Sequence, residues 1–242
     1  MNAVAGKDEL LRALAARQAK AVERREGGLR TGLAALDDLA PGGAFGGGAV
    51  HELLWRRPSP CPGTFALLLA QAAQKGGGGG GGAIVWSDPD RELHLPPLAA
   101  AGIDLRRLLL LRCRDRAGQL WALAECMRCR GVCATVARVD RLTQVEARRL
   151  QLAAERGGGI GLLMRSWAPG AGAPYAAATR WLVGPAAGDE GVQRWRVELL
   201  HGHGGRTGQV RILEVDRETR ALRALAPLAD RPAAPAPARA TA

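Results

Sequence analysis

GLAALDDLAPGGAFGGGAVHELLWRRPSPCPGTFALLLAQAAQ, residues 32–74, sets out a glycine-rich lead-in, a short apolar strand, a loop and an apolar helix, in that order. In an α/β protein this succession is where a strand passes to a phosphate-holding loop and a helix N-terminus, whose N–H groups and dipole attract anions. The P-loop pattern G-x-x-x-x-G-K-[ST] adds a lysine that reaches the terminal phosphates. The corresponding segment, Trp55 to Thr64, ends in Gly63-Thr64 but carries no lysine. Pro58, Pro60 and Pro62 each remove a backbone N–H from a loop that needs its N–H groups to cradle phosphate. The shape of a nucleotide site is predicted here without its chemistry.

A working P-loop ATPase needs a lysine on the phosphates, a Ser or Thr on Mg²⁺ and an acid at the end of a core strand. Ser59, Gly63 and Thr64 are the loop remnants, with Thr64 the candidate hydroxyl. Asp140 closes the strand VCATVARVD where a Walker B aspartate would fall; the bland alternative is a cap on the turn into the next helix. Asp90, in Asp88-Pro89-Asp90, is the nearest candidate for a catalytic acid after the second strand, though its place beside a proline reads first as that of a turn residue. Arg56 and Arg57 bring charge, but a guanidinium fork does not copy a lysine's point contact. ATP and Mg²⁺ are therefore doubtful cofactors.

Outward from this stretch, apolar strands alternate with helical patterns. Strands are expected at Ala49–Trp55, Ala83–Ser87, Leu108–Arg112, Val132–Val139 and Ile160–Met164, and helices at Thr64–Lys75, Gly118–Arg130 and Thr143–Arg156. A weak helix, Arg91–Ala101, is interrupted by Pro96-Pro97, and the four leucines from Leu108 read as the interior of a parallel sheet. After residue 177 strands follow without helices: Thr179–Val183, Arg194–Leu200 and Gln209–Val215, the last two joined by a hairpin. The expected fold is α/β, a mostly parallel sheet with antiparallel C-terminal edge strands. Residues 29–225 form that core, residues 1–28 an N-terminal helical segment, and residues 226–242 a disordered Pro/Ala-rich tail.

The chain has 242 residues and a net charge of +11, almost all from arginine, since Lys7, Lys20 and Lys75 are its only lysines. That charge fits an acidic partner, nucleic acid or protein, or else arginines that merely solvate the surface. Arg106, Arg107, Arg112, Arg114 and Arg116 gather round the third strand; Arg194, Arg196, Arg206, Arg211, Arg217, Arg220 and Arg223 decorate the last ones beside Trp195. Arginine beside tryptophan suits single-stranded DNA or a protein hot spot, unless the tryptophan turns into the core. Cys126, Cys129 and Cys133 lack partners at zinc spacing, so no metal is expected, and five cysteines fit a reducing compartment. No apolar run approaches the roughly 18 residues that span a membrane, and a cytoplasmic protein is expected.

The run Thr31-Gly32-Leu33, Leu36-Asp37, Gly42-Gly43, Gly47-Gly48 and Glu52-Leu53 resembles the lead-in to the first core strand of RecA/RadA-like ATPases. Residues 120–166, then AAATRWLVG (176–184), then RWRVELLHGHGGRTGQVRILEVD (194–216), resemble the ImuA family, accessory proteins of damage-induced translesion DNA synthesis. The resemblance spans roughly residues 29–220. It implies a RecA-like P-loop NTPase-type core. It also implies work beside a catalytically inactive Y-family polymerase homologue (ImuB), an error-prone polymerase and RecA. The expected role is a non-enzymatic adaptor in SOS-induced mutagenic synthesis and DNA repair. The alternatives are an active RecA-like DNA-dependent ATPase and an SOS cell-division inhibitor.

Overall fold

A computed structural model describes residues 28–76, 81–167, 176–187, 192–202, 204–216 and 222–224. The expected N-terminal helix, the Pro/Ala-rich tail, His203, Arg217 and Arg220 lie outside the described residues. The strands are β1 (Ala49–Arg56), β2 (Ala83–Ser87), β3 (Leu108–Leu111), β4 (Val132–Arg138), β5 (Ile160–Trp167), β6 (Thr179–Ala186), β7 (Val192–Gly202), β8 (Val210–Asp216) and β9 (Leu222–Ala224). They form one sheet in the order β3-β2-β4-β5-β1-β6-β7-β8-β9. Every pairing from β3 to β6 is parallel, and those from β6 to β9 are antiparallel.

The helices are α1 (Ala34–Asp37), α2 (Gly63–Gly76), α3 (Leu95–Ala100), α4 (Arg116–Arg128) and α5 (Gln144–Gly157). Phe65, Ala66, Leu69 and Ala70 of α2 join Leu98 of α3 on one face of the sheet, over Leu53, Trp55, Ile84, Val136 and Leu162. Helices α4 and α5 cover the other face with Leu123, Ala124, Met127, Leu150 and Ala154, over Val50, Ala137 and Leu163. The chain steps outward from β1 to β3 on the first face and returns to β5 on the second, which keeps one crossover hand throughout. At Gly157 an added Cβ would run into the Met127 carbonyl oxygen, so the end of α5 sits against the end of α4.

Caps set the helix ends. Thr143 Oγ1 accepts from Glu146 N at 3.2 Å while the Glu146 carboxylate accepts from Thr143 N at 2.8 Å, a reciprocal box opening α5. Gly158, at φ 77°, closes it in the left-handed conformation. Two sequence expectations are corrected. Pro96 and Pro97 do not interrupt a helix but open α3, because first-turn N–H groups have no helical partner to lose. The leucine run of β3 is an edge strand paired only with β2, leaving Leu109 56% exposed.

The middle of β1 is buried and polar. On one face His51 Nε2 lies 3.0 Å from Gly46 O, which only an N–H can satisfy, so Nδ1 accepts from Thr179 Oγ1 at 2.7 Å. Thr179 Oγ1 in turn accepts from Trp181 Nε1 at 2.6 Å. Phe45 stacks on Trp181 at 4.9 Å and meets His51 edge-on, fastening the lead-in to β1 and β6. On the other face Glu52, 1% exposed, binds the guanidiniums of Arg165 on β5 and Arg180 on β6, the latter at 2.8 Å.

Replacing Glu52 by Gln leaves two enclosed guanidiniums facing a neutral amide. Urea unfolding should show a loss of about 3–5 kcal/mol; a loss below about 1 kcal/mol would contradict the arrangement. Burial lowers the His51 pKa to about 4 from its ordinary 6.5. Between those values the unfolded chain binds the proton and the folded chain does not, so stability falls as pH drops from 6.5 towards 4. The slope should be about 1 kcal/mol per pH unit, and His51→Gln should flatten it in pH-dependent urea unfolding.

Candidate functional site

The carboxyl edge of the parallel strands is where open α/β sheets bind ligands. There β1 passes into the loop Arg57–Pro62 and α2 begins at Gly63, so strand, loop and helix follow one another as the sequence implies. The loop is a poor cradle. Ser59 N donates to Arg56 O at 2.9 Å and Gly63 N to Cys61 O at 2.8 Å, so two of the N–H groups left by the three prolines are engaged within the turn. Pro62 O accepts from Ala66 N at 3.0 Å and starts the helix. Thr64 is half-buried in the first turn.

Side chains fill this edge. The Arg56 guanidinium sits over the Trp167 ring at 4.2 Å, and that of Arg138 over Trp55 at 5.8 Å. Cys61 Sγ approaches Met164 Sδ at 3.5 Å. Burial pushes the Cys61 thiol up; Arg138 opposes that and Asp140 adds to it, which places the end of β4 beside the loop. Asp140 is exposed and does not cap α5, a task that falls to Thr143. Asp90 is exposed in the turn after β2. The acid that organises that turn is its neighbour Asp88, 6% exposed, which accepts from Glu92 N at 2.8 Å and Leu93 N at 3.1 Å and pairs with Arg112 at 3.4 Å. Thr64, Asp90 and Asp140 thus all follow carboxyl ends of the parallel strands, with Asp140 beside the β1–α2 loop and Asp90 in the turn after β2.

The arginines form two groups. Strands β3 and β7 stand six places apart in the sheet, about 29 Å at 4.8 Å per strand. In the first group Arg106 and Arg107 both bind Asp104, Arg112 binds Asp88, and Arg114 is exposed. In the second, Arg194 pairs with Glu214 at 2.9 Å, Arg196 with Glu198 at 2.7 Å, and Arg211 with Gln209 at 3.3 Å, while Arg206 is exposed. Trp195 is 4% exposed on the core face with Val197 and Leu199, so it offers no stacking surface. Most of these cations already face a carboxylate.

Two features escaped sequence reading. One is the Glu52–Arg165–Arg180 cluster, signalled only by charged residues in otherwise apolar strands. The other is the outer face of α4 and α5, where Val145 is 79%, Trp121 58% and Leu152 39% exposed among arginines. Plotting residues 145, 148, 149, 152 and 156 at helical spacing would have gathered them on one side. Among the described residues no group of three or more His, Cys, Asp or Glu is placed to hold a metal, and no helix is long and apolar enough to cross a membrane.

No family model matches the chain. It is 31% identical over 199 residues to Protein ImuA of Caulobacter vibrioides strain NA1000 / CB15N, an alignment covering 74% of this chain and 80% of that protein. Protein ImuA of Caulobacter vibrioides strain ATCC 19089 matches with the same identity and coverage.

The packed carboxyl edge makes Cys61 a slow nucleophile, since a raised thiol pKa leaves less thiolate. Timed alkylation at pH 8 followed by peptide mass spectrometry should modify exposed Cys129 first and Cys61 roughly tenfold more slowly. Equal rates at the two positions would mean that this edge is open.

Proposed function

The chain belongs to the ImuA family, and on that premise we propose that it works in damage-induced mutagenesis as a non-enzymatic adaptor. Its task is SOS-induced translesion DNA synthesis and DNA repair in the cytoplasm, beside the ImuB polymerase homologue, an error-prone polymerase and RecA. The core is a RecA-like scaffold whose P-loop keeps its shape and has lost its chemistry. One observation carries this reading: the β1–α2 loop has no lysine and three prolines, and its Ser59 and Gly63 N–H groups are engaged within the turn. An anion there would find few donors and no point charge. ATP and Mg²⁺ have no part in this role, and Thr64, Asp90 and Asp140 are remnants.

The strand order supports the scaffold reading, because the loop stands at the carboxyl edge beside β5 and near Asp140, which follows β4. Work then passes to surfaces. The paired arginines flanking β3 and those on β7 offer modest binding to DNA, since each phosphate must displace a carboxylate.

A melting assay with millimolar ATP·Mg²⁺ should leave the Tm unchanged. A rise of several degrees, with hydrolysis lost on Asp140→Asn, would instead establish the DNA-dependent ATPase. A tagged copy drawn from DNA-damaged cells should recover the polymerase homologue and the error-prone polymerase. Recovery of division proteins in their place, with filamentation on overexpression, would establish a division inhibitor.

A further inference from the structure

Among the described residues, the outer face of α4 and α5 leaves Val145, Trp121 and Leu152 exposed. Two adjoining hollows lie on it, of about 510 and 190 Å³. The larger is floored by Val145, Leu152 and Ala153 and bordered by Arg128, Arg148, Arg149 and Arg156, with no acidic residue in its lining. The smaller holds Trp121 and Leu120, and both share Arg149. Exposed apolar side chains, when clustered, mark contact surfaces.

The charge on this strip is unbalanced. Arg116 takes both oxygens of Glu146 at 2.8 Å, holding that carboxyl at a pKa of about 2, so Glu146 is committed to Arg116. Arg128 binds Glu125, and Arg148 reaches Glu155 only at 3.8 Å. Arg149 and Arg156 have no ion pair among the described residues, and the enclosed Nε of Arg128 has no hydrogen-bond partner. An aliphatic floor and a guanidinium rim in which Arg149 and Arg156 have no ion pair among the described residues together define the occupant. It must bring apolar side chains into the hollow and carboxylates to its edge.

We propose that the α4–α5 face is a docking groove for an acidic amphipathic peptide segment of a partner protein. Such a segment lays an apolar anchor across Val145, Leu152 and Trp121 and sets its acids against Arg149, Arg156 and Arg128. Single-stranded nucleic acid fits less well, because the face offers its bases one ring to stack on, Trp121, and the larger hollow is lined by aliphatic side chains and arginines with no aromatic ring. The proposal rests on the adaptor reading only in assigning a docking surface to it.

The test uses the full chain and three fluorescent probes in anisotropy titrations at 150 mM salt. One is a 15-residue peptide of Asp and Glu with two leucines and a phenylalanine at helical spacing. The second replaces its acids by lysine, and the third is a 15-mer of thymidine. The acidic peptide should bind at micromolar concentration and shift Trp121 fluorescence, with the lysine peptide at least tenfold weaker. Arg149→Glu with Arg156→Glu, and separately Leu152→Asp, should each weaken it tenfold or more while the melting curve stays that of the parent. No binding of the acidic peptide, or thymidine binding that is tighter and lost in the same variants, overturns the groove. Co-purification of the polymerase homologue with the double variant at parental yield likewise overturns the groove and leaves the adaptor reading standing. Failure of the parent chain to recover any polymerase component removes the adaptor reading whatever the peptide does.

Discussion

One carboxylate, Glu52, holds two guanidiniums from the strands on either side of it, Arg165 of β5 and Arg180 of β6. This happens where the parallel half of the sheet meets the antiparallel half, since β6 runs parallel to β1 and antiparallel to β7. A buried ion cluster adds little net stability over a well-packed apolar one, because desolvation offsets most of the attraction. Its effect is on register. Sliding β6 by one residue would carry Arg180 to the opposite face and leave a charge unpaired. The same segment is tied on its other face by Trp181, Thr179, His51 and Gly46, so β1 and β6 are aligned from both sides.

Much of the remaining architecture follows from that alignment. Helix α5 is fastened to the start of β1 through Gln151 Oε1, which accepts from Val50 N at 2.9 Å. Helix α2 is fastened near β3 by Gln74, whose amide exchanges hydrogen bonds with Asp104 at 2.8 and 3.3 Å. With β1 central, its carboxyl end faces β4 and β5, and Trp55, Arg56, Arg138, Cys61 and Met164 pack where a ligand would otherwise sit. Among the described residues the outer face of α4 and α5 stays exposed, and there Arg149 and Arg156 have no ion pair.

How much of this the sequence carried depends on the kind of signal. Strands such as Ala83–Ser87 were legible to the residue, because a continuous apolar run needs cover on both faces. The proline loop was legible too, because a missing N–H is a property of the residue and not of its surroundings. The leucines of β3 misled, since an apolar run does not reveal whether one neighbour or two will pair with it. The arginines were legible as positions but not as pairings. A count of charge ignores that Asp104, Asp88, Glu214 and Glu198 lie against them.

By itself, then, the sequence determined the α/β alternation, the switch to antiparallel strands, a first loop with three prolines and no lysine, and the kinship with ImuA proteins. All of these are local properties or patterns along the chain. Only the tertiary structure decided that Glu52 meets both Arg165 and Arg180, that His51 is a neutral buried link, and that Val145, Leu152 and Trp121 share an arginine-edged face. The reason is physical. Charge and burial depend on neighbours brought together across more than 100 positions, as Glu52 and Arg165 are, and no spacing along the chain encodes that distance.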